Sequence, residues 1–298
     1  MQTFEDYQAR YSAYEQIRFR RETGGLILFD LNTPAFGACF SLQGGQLLSF
    51  QRHDQRPLLW LSEQALMQPG KAIRGGIPLC WPWFGPAPDG SGRPAHGFAR
   101  NLPWRLTSVL TEDNGWVVRF QLSDSADTRA LWPHSFEASL TYQLGRTLRI
   151  DFCVVNLDPA PFSMSYAFHS YFPVDDIRQA EVLGLNGCDY YDQLQSMRLL
   201  RQQGPVRFDA ECDRIYVDTA GEYLLRDGAS GAELQIQTEN CHSAIVWNPW
   251  VEKSQRLSDL ADSAYQHMLC VECGNVNGNS IVVPAGGAHA SAMQLKYR

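Results

Sequence analysis

Two residues of the types that move protons near neutral pH, a glutamate and a histidine, sit in stretches that otherwise read as buried strands. Glu272 lies in MLCVECGNV, with apolar or small neighbours on both faces. A carboxylate there is costly to bury unless it is paired or put to use. A buried ion pair, or a strand end facing water, accounts for it as well as a functional role does. His169 lies in FSMSYAFHSYF. As a strand, one face carries Phe162, Met164, Tyr166 and Phe168, and the other Ser163, Ser165, Ala167, His169 and Tyr171. An imidazole beside small residues has open space before it, as a substrate cleft requires. A hydrogen-bonded structural histidine is the commoner alternative.

Arg74 precedes Gly75-Gly76, and Arg100 closes HGFAR; both fall in segment 69–103, crowded with Gly, Pro and aromatics. The guanidinium fork suits phosphate oxygens, so two of them could form an anion pocket. Solvated or loop-bracing arginines are the plainer reading. A flexible linker would not carry so many large aromatics, and long irregular segments in compact domains are usually functional loops. Segment 69–103 therefore reads as an ordered wall. Trp81, Trp83, Trp247 and Trp250 could stack on sugar faces or simply pack the core.

The elements that must position these groups are strands. Apolar residues alternate at Phe36, Ala38, Phe40 and Leu42, at Trp116 to Leu122, at Phe136 to Leu144, at Leu148 to Val154 and at Met293 to Tyr297. Helical signals are confined to segment 4–18 and a short turn within 253–262. The pattern predicts an all-β fold, one large antiparallel β-sandwich.

The net charge of −7, with no basic run, argues against a nucleic-acid partner. No apolar run reaches bilayer length, and the N-terminal residues lack a secretory apolar core, so a cytoplasmic, non-membrane protein is expected. The eight cysteines read as free thiols. Cys270 and Cys273 have CxxC spacing, but in a strand they point to opposite faces and cannot share a metal.

Taken in order, AIRGGIPLCWPWFGP, HGFARNLPW, FHSYF, DRIY, WNPWVEKS and CVECGNV resemble the glucose-6-phosphate 1-epimerase group of the aldose 1-epimerase, galactose-mutarotase-like superfamily. The resemblance covers about residues 35–298, leaving 1–34 as an unassigned N-terminal extension before a single mutarotase-like domain. It implies a twisted β-sandwich with the site in a concave face. It also implies α–β anomer interconversion of hexose 6-phosphates by ring opening and closure, without cofactor or metal. The expected partner is a small sugar phosphate, and the expected state a monomer. His169 would be the acid at the ring oxygen and Glu272 the base at O1, suited by a histidine near its ordinary pKa and an ionised glutamate. Arg74, His96, Arg100 and Asp213 would line the substrate site, Arg100 at the phosphate. One departure stands out: Ala95 occupies a position where some members carry Gln. Two alternatives remain: an epimerase of unphosphorylated sugars, and a non-catalytic sugar-phosphate-binding regulator.

Overall fold

The computed structural model describes residues 2–112 and 115–298. Every strand pairing in its sheets is antiparallel. The largest sheet has nine strands and runs from Val206–Arg207 through Ala180–Leu183, Glu222–Asp227, Glu233–Glu239, Ala288–Tyr297, Leu148–Asn156, Phe136–Gly145 and Gly115–Ser123 to Arg105–Glu112. Its strands show the expected period: Phe136–Gly145 and Leu148–Asn156 bury alternate residues along their length.

The second sheet has eight strands. Arg198–Arg201, Asp189–Asp192, Cys212–Val217, Ser243–Asn248 and Met268–Asn275 follow one another, then the short strands Tyr166–Phe168 and Leu79–Cys80. Tyr171–Pro173 also pairs with Met268–Asn275, beyond Tyr166–Phe168. The two sheets pack face to face, with Phe152 of the larger lying 5.2 Å from the Tyr166 ring of the smaller.

A third sheet is the meander Ile17–Arg21, Ile27–Asn32, Phe36–Ser41 and Gln46–Arg52. Its aromatics join the same core, Phe40 lying 5.9 Å from Phe120 and 5.2 Å from Tyr142. Residues 2–34 are thus woven into the sandwich, and residue 34 lies in the turn between two paired strands. The helix expected over 4–18 covers only Phe4–Tyr11, with Thr3 capping its N-terminus. Its continuation IRFRR alternates instead, burying Ile17 and Phe19, and joins the sheet. The helical turn expected within 253–262 forms earlier, at Trp250–Ser254.

Candidate active site

Met268–Asn275 is buried along its whole length because both its faces are covered. Leu269, Val271 and Cys273 point into the common core, and Cys270 and Glu272 point the other way. On that second face the sheet register aligns Asp213, Trp247, Cys270 and Tyr171 across four neighbouring strands. The adjacent row brings Ile215 and Ile245 to Glu272. Ile245 and Ile215 pack with Cys80 and Ala167 into an apolar patch on that face.

His169 occupies the interruption between the two short strands, since Phe168 pairs with Cys273 and Tyr171 with Cys270. Its backbone N–H donates to the Pro78 carbonyl, 2.9 Å. Its ring lies parallel to Tyr171, centroids 4.7 Å apart, and Tyr171 stacks in turn on Trp60 at 6.0 Å. His169 Nδ1 then stands 3.4 Å from Glu272 Oε1, with His169 7% and Glu272 2% exposed. Gly274 permits the close approach of the Tyr166–Phe168 strand, because a Cβ there would meet the Tyr166 carbonyl oxygen at 2.0 Å.

Burial decides the charge of this pair. It pushes the His169 pKa well below the ordinary value, helped by the positive field of Arg100 and Arg74. It pushes Glu272 well above its ordinary value; Asp213 adds to that shift and Arg100 opposes it. The pair therefore favours a proton on the carboxyl and a neutral imidazole, in place of the unperturbed histidine and ionised glutamate expected from sequence. Among the described residues neither Nδ1 of His169 nor Oε2 of Glu272 has a hydrogen-bond partner.

The wall comes from segment 69–103. Arg74 donates to Asp259 Oδ1 at 3.1 Å and to the Tyr171 hydroxyl at 3.2 Å, and its Nε is buried with no partner among the described residues. The two glycines after it explain its placement. At Gly76, with φ +63°, a Cβ would meet the Leu47 carbonyl oxygen at 2.3 Å, and at Gly75 it would meet the Leu61 Cα at 2.5 Å. Gln46 secures the same loop by donating to the Gly75 carbonyl, 2.8 Å. Arg100 donates to the Ala95 carbonyl, 3.1 Å, and its Nε too is buried and unpartnered. Among the described residues no carboxylate pairs with Arg100, so the two arginines differ: Arg74 is charge-balanced and Arg100 is not. His96 stands 6.0 Å from His169, ring to ring, and burial lowers its pKa to about 3. Its Nδ1 accepts from the Gly85 N–H at 3.4 Å, which leaves Nε2 as the protonated nitrogen.

Asp213 closes the far end. Its Oδ1 accepts from Gln193 and its Oδ2 from Lys253, 3.4 Å away. The structure thus gathers His169, Glu272, Arg74, His96, Arg100 and Asp213 around one face. Trp81 and Trp83 are elsewhere, buried in the core against Phe98. Sequence reasoning missed Asp259, Gln193 and Lys253. The first is bound to Arg74 from 185 residues away, and no spacing signals it.

An imidazole and a carboxyl in contact, beside unpaired arginine donors, match what a family of sugar isomerases requires. The model of the aldose 1-epimerase family matches residues 28–296. The chain belongs to that family. A provisionally assigned glucose-6-phosphate 1-epimerase of Salmonella typhimurium is 35% identical over 255 residues, covering 85% of this chain and 84% of the relative. Its counterpart in Escherichia coli is 34% identical over 272 residues, 91% of this chain and 90% of the relative. The crystal structure of a provisionally assigned Salmonella typhimurium mutarotase superposes with a TM-score of 0.88 at 31% identity, covering 94% of this chain and 93% of that one. As a member of the family the chain is an isomerase with a galactose-mutarotase-like fold.

Proposed function

We propose that the protein interconverts the α and β anomers of hexose 6-phosphates, glucose 6-phosphate first among them. The observation that carries this reading is the contact of His169 Nδ1 with Glu272 Oε1 at 3.4 Å, beside two arginines with buried unpartnered Nε atoms. Ring opening needs one proton given to the ring oxygen and one taken from the O1 hydroxyl. Because burial leaves the pair's proton on Glu272 in the free protein, that proton passes across the 3.4 Å contact to His169 when substrate binds. His169 then gives it to the ring oxygen, and the ionised Glu272 takes the O1 proton. Rotation about C1–C2 and closure reverse both transfers. The pair holds one proton before and after each opening, so the cycle leaves no proton to be exchanged with solvent. Arg100 takes the phosphate by charge-assisted hydrogen bonds, and Arg74 lies alongside, oriented by Asp259.

The arginines also bear on proton affinity. Both depress the His169 pKa, and an arriving phosphate dianion offsets their field. Proton uptake by His169 is therefore favoured with a phosphorylated substrate over the free sugar.

Exchange NMR of the anomeric protons of glucose 6-phosphate and of glucose tests the reading. The expected result is faster exchange for the phosphate, reduced by Glu272→Gln to at most about a hundredth, within the range that one acid–base group contributes. Arg100→Ala is expected to lower kcat/KM for the phosphate by roughly ten- to a hundredfold, from about 1.5–3 kcal/mol of lost charge-assisted hydrogen bonding, and to leave glucose unaffected. Equal acceleration of both sugars would sink the phosphate preference, and no acceleration of either would sink the enzyme reading for them.

A further inference from the structure

Lys253 has no part in the acid–base pair, yet its side chain closes the end of the site opposite Arg74. The chain reaches it by a built turn. After Ser243–Asn248 the Asn248 side chain accepts from the Trp250 N–H at 2.9 Å and donates to the Tyr265 and Met268 carbonyls at 2.8 and 2.9 Å. Trp250–Ser254 then forms one helical turn, locked by the Ser254 hydroxyl on the Trp250 carbonyl at 2.6 Å. That turn carries Lys253 back over the Trp247 ring, with Nζ 5.8 Å from its centroid. There the ammonium lies between Glu211 Oε1, at 3.0 Å, and Asp213 Oδ2, at 3.4 Å.

Asp213 is held from both sides, by Lys253 on one oxygen and Gln193 on the other, which fixes its plane. Each carboxylate oxygen has two acceptor sites, so capacity for further donors is left. The Asp213 strand lies two strand spacings from the Glu272 strand, about 10 Å across the sheet. The ring of a hexose placed over Trp247 would span that gap, with its hydroxyls toward Asp213.

We propose that Lys253 is a positioning residue for sugar recognition, pinning the Asp213 carboxylate as an acceptor for substrate hydroxyl groups. This rests on the sugar-binding reading of the site, not on turnover. The charge environment agrees. Burial raises the Asp213 pKa, Lys253 opposes that shift, and Glu211 adds to it. The other titratable groups that Asp213 acts on are Glu272, Cys270 and Cys212, none of them cationic. Among the described residues Lys253 is the cation that ion-pairs with this carboxylate and holds it in its acceptor form, while Arg74, which also lies by the Trp247 ring, is paired with Asp259.

The test is affinity. Kd values for glucose 6-phosphate and for glucose are measured calorimetrically with the wild type, Lys253→Met and Lys253→Arg, at pH 8 and pH 5.5. Lys253→Met is expected to weaken both ligands by roughly tenfold at pH 8 and by clearly more at pH 5.5, where the uncompensated Asp213 takes up a proton. Lys253→Arg is expected to restore most of the affinity. An unchanged Kd in Lys253→Met would overturn the inference. So would a loss confined to the phosphorylated ligand, which would make Lys253 a phosphate contact, and so would a pH-independent loss that Arg does not rescue, which would mark it as scaffold. A wild type that binds without accelerating anomer exchange would refute the mutarotase reading while leaving this comparison intact.

Discussion

At the scale of the residue, the site is governed by what burial does to two neighbouring titratable groups. Glu272 shows this in a property that requires no substrate. Its folded-state pKa is raised well above the unfolded value, near 4.3, so above that value the unfolded chain has lost a proton that the native protein keeps. Its contribution to stability is complete below about pH 4.3 and is lost as pH rises toward the folded pKa. Below about pH 6.5 the lowered pKa values of His96 and His169 act with the opposite sign, because the unfolded chain then binds protons that the folded chain refuses. From about pH 6.5 to 8.5, below the range where unfolded thiols ionise, Glu272 acts without them. The folded protein is expected to lose stability with rising pH in that window, by up to about 1.4 kcal/mol per unit. Chemical denaturation of the wild type and Glu272→Gln across it should show the slope in the first and a flatter line in the second. Identical slopes would mean that Glu272 is ionised in the native state.

At the scale of the element, the arrangement depends on short irregular pieces set against long regular strands. The strands were the most legible part of the sequence, since alternation at Phe136–Gly145 or Leu148–Asn156 states which residues face the core. Glu272 and His169 could be noticed because they violate that pattern on a buried face. Their contact could not be read, because it arises where a strand breaks between Phe168 and Tyr171, and no local signal marks the break. Asp259, Gln193 and Lys253 stayed hidden for a related reason: each is an ordinary polar residue until tertiary folding brings it to Arg74 or Asp213. The Gly75-Gly76 pair is the most vulnerable of these irregular pieces. Gly76→Ala combines positive φ with a collision against the Leu47 carbonyl, so the loop must shift and carry Arg74 with it. The variant is expected to lose most of its anomer-exchange activity and about 1–3 kcal/mol of stability. Retention of both in assays of anomer exchange and thermal unfolding would show that the loop has room to yield.

At the scale of the whole molecule, the meander that begins in residues 2–34 belongs to the same core as the two larger sheets. Phe29 is fully buried, stacked on Phe40 at 4.8 Å and 6.2 Å from Phe120 of the nine-stranded sheet. Phe29→Ala is accordingly expected to cost about 3–5 kcal/mol, read as a lowered denaturation midpoint. A cost under 1 kcal/mol would mean that the N-terminal strands are an appendage.

The row of Asp213, Trp247, Cys270 and Tyr171 has a consequence for how such a site can change over evolutionary time. Its length is counted in whole strands, so it behaves as a ruler with fixed gradations: hydrogen bonding between neighbours permits no intermediate spacing. Ligands of graded size cannot be matched by stretching the ruler. Adaptation is left to the pieces mounted at its two ends, the loop that carries Arg74 and Arg100 and the turn that carries Lys253. Divergence in what is bound should therefore accumulate at those ends, while the interval between them stays constant.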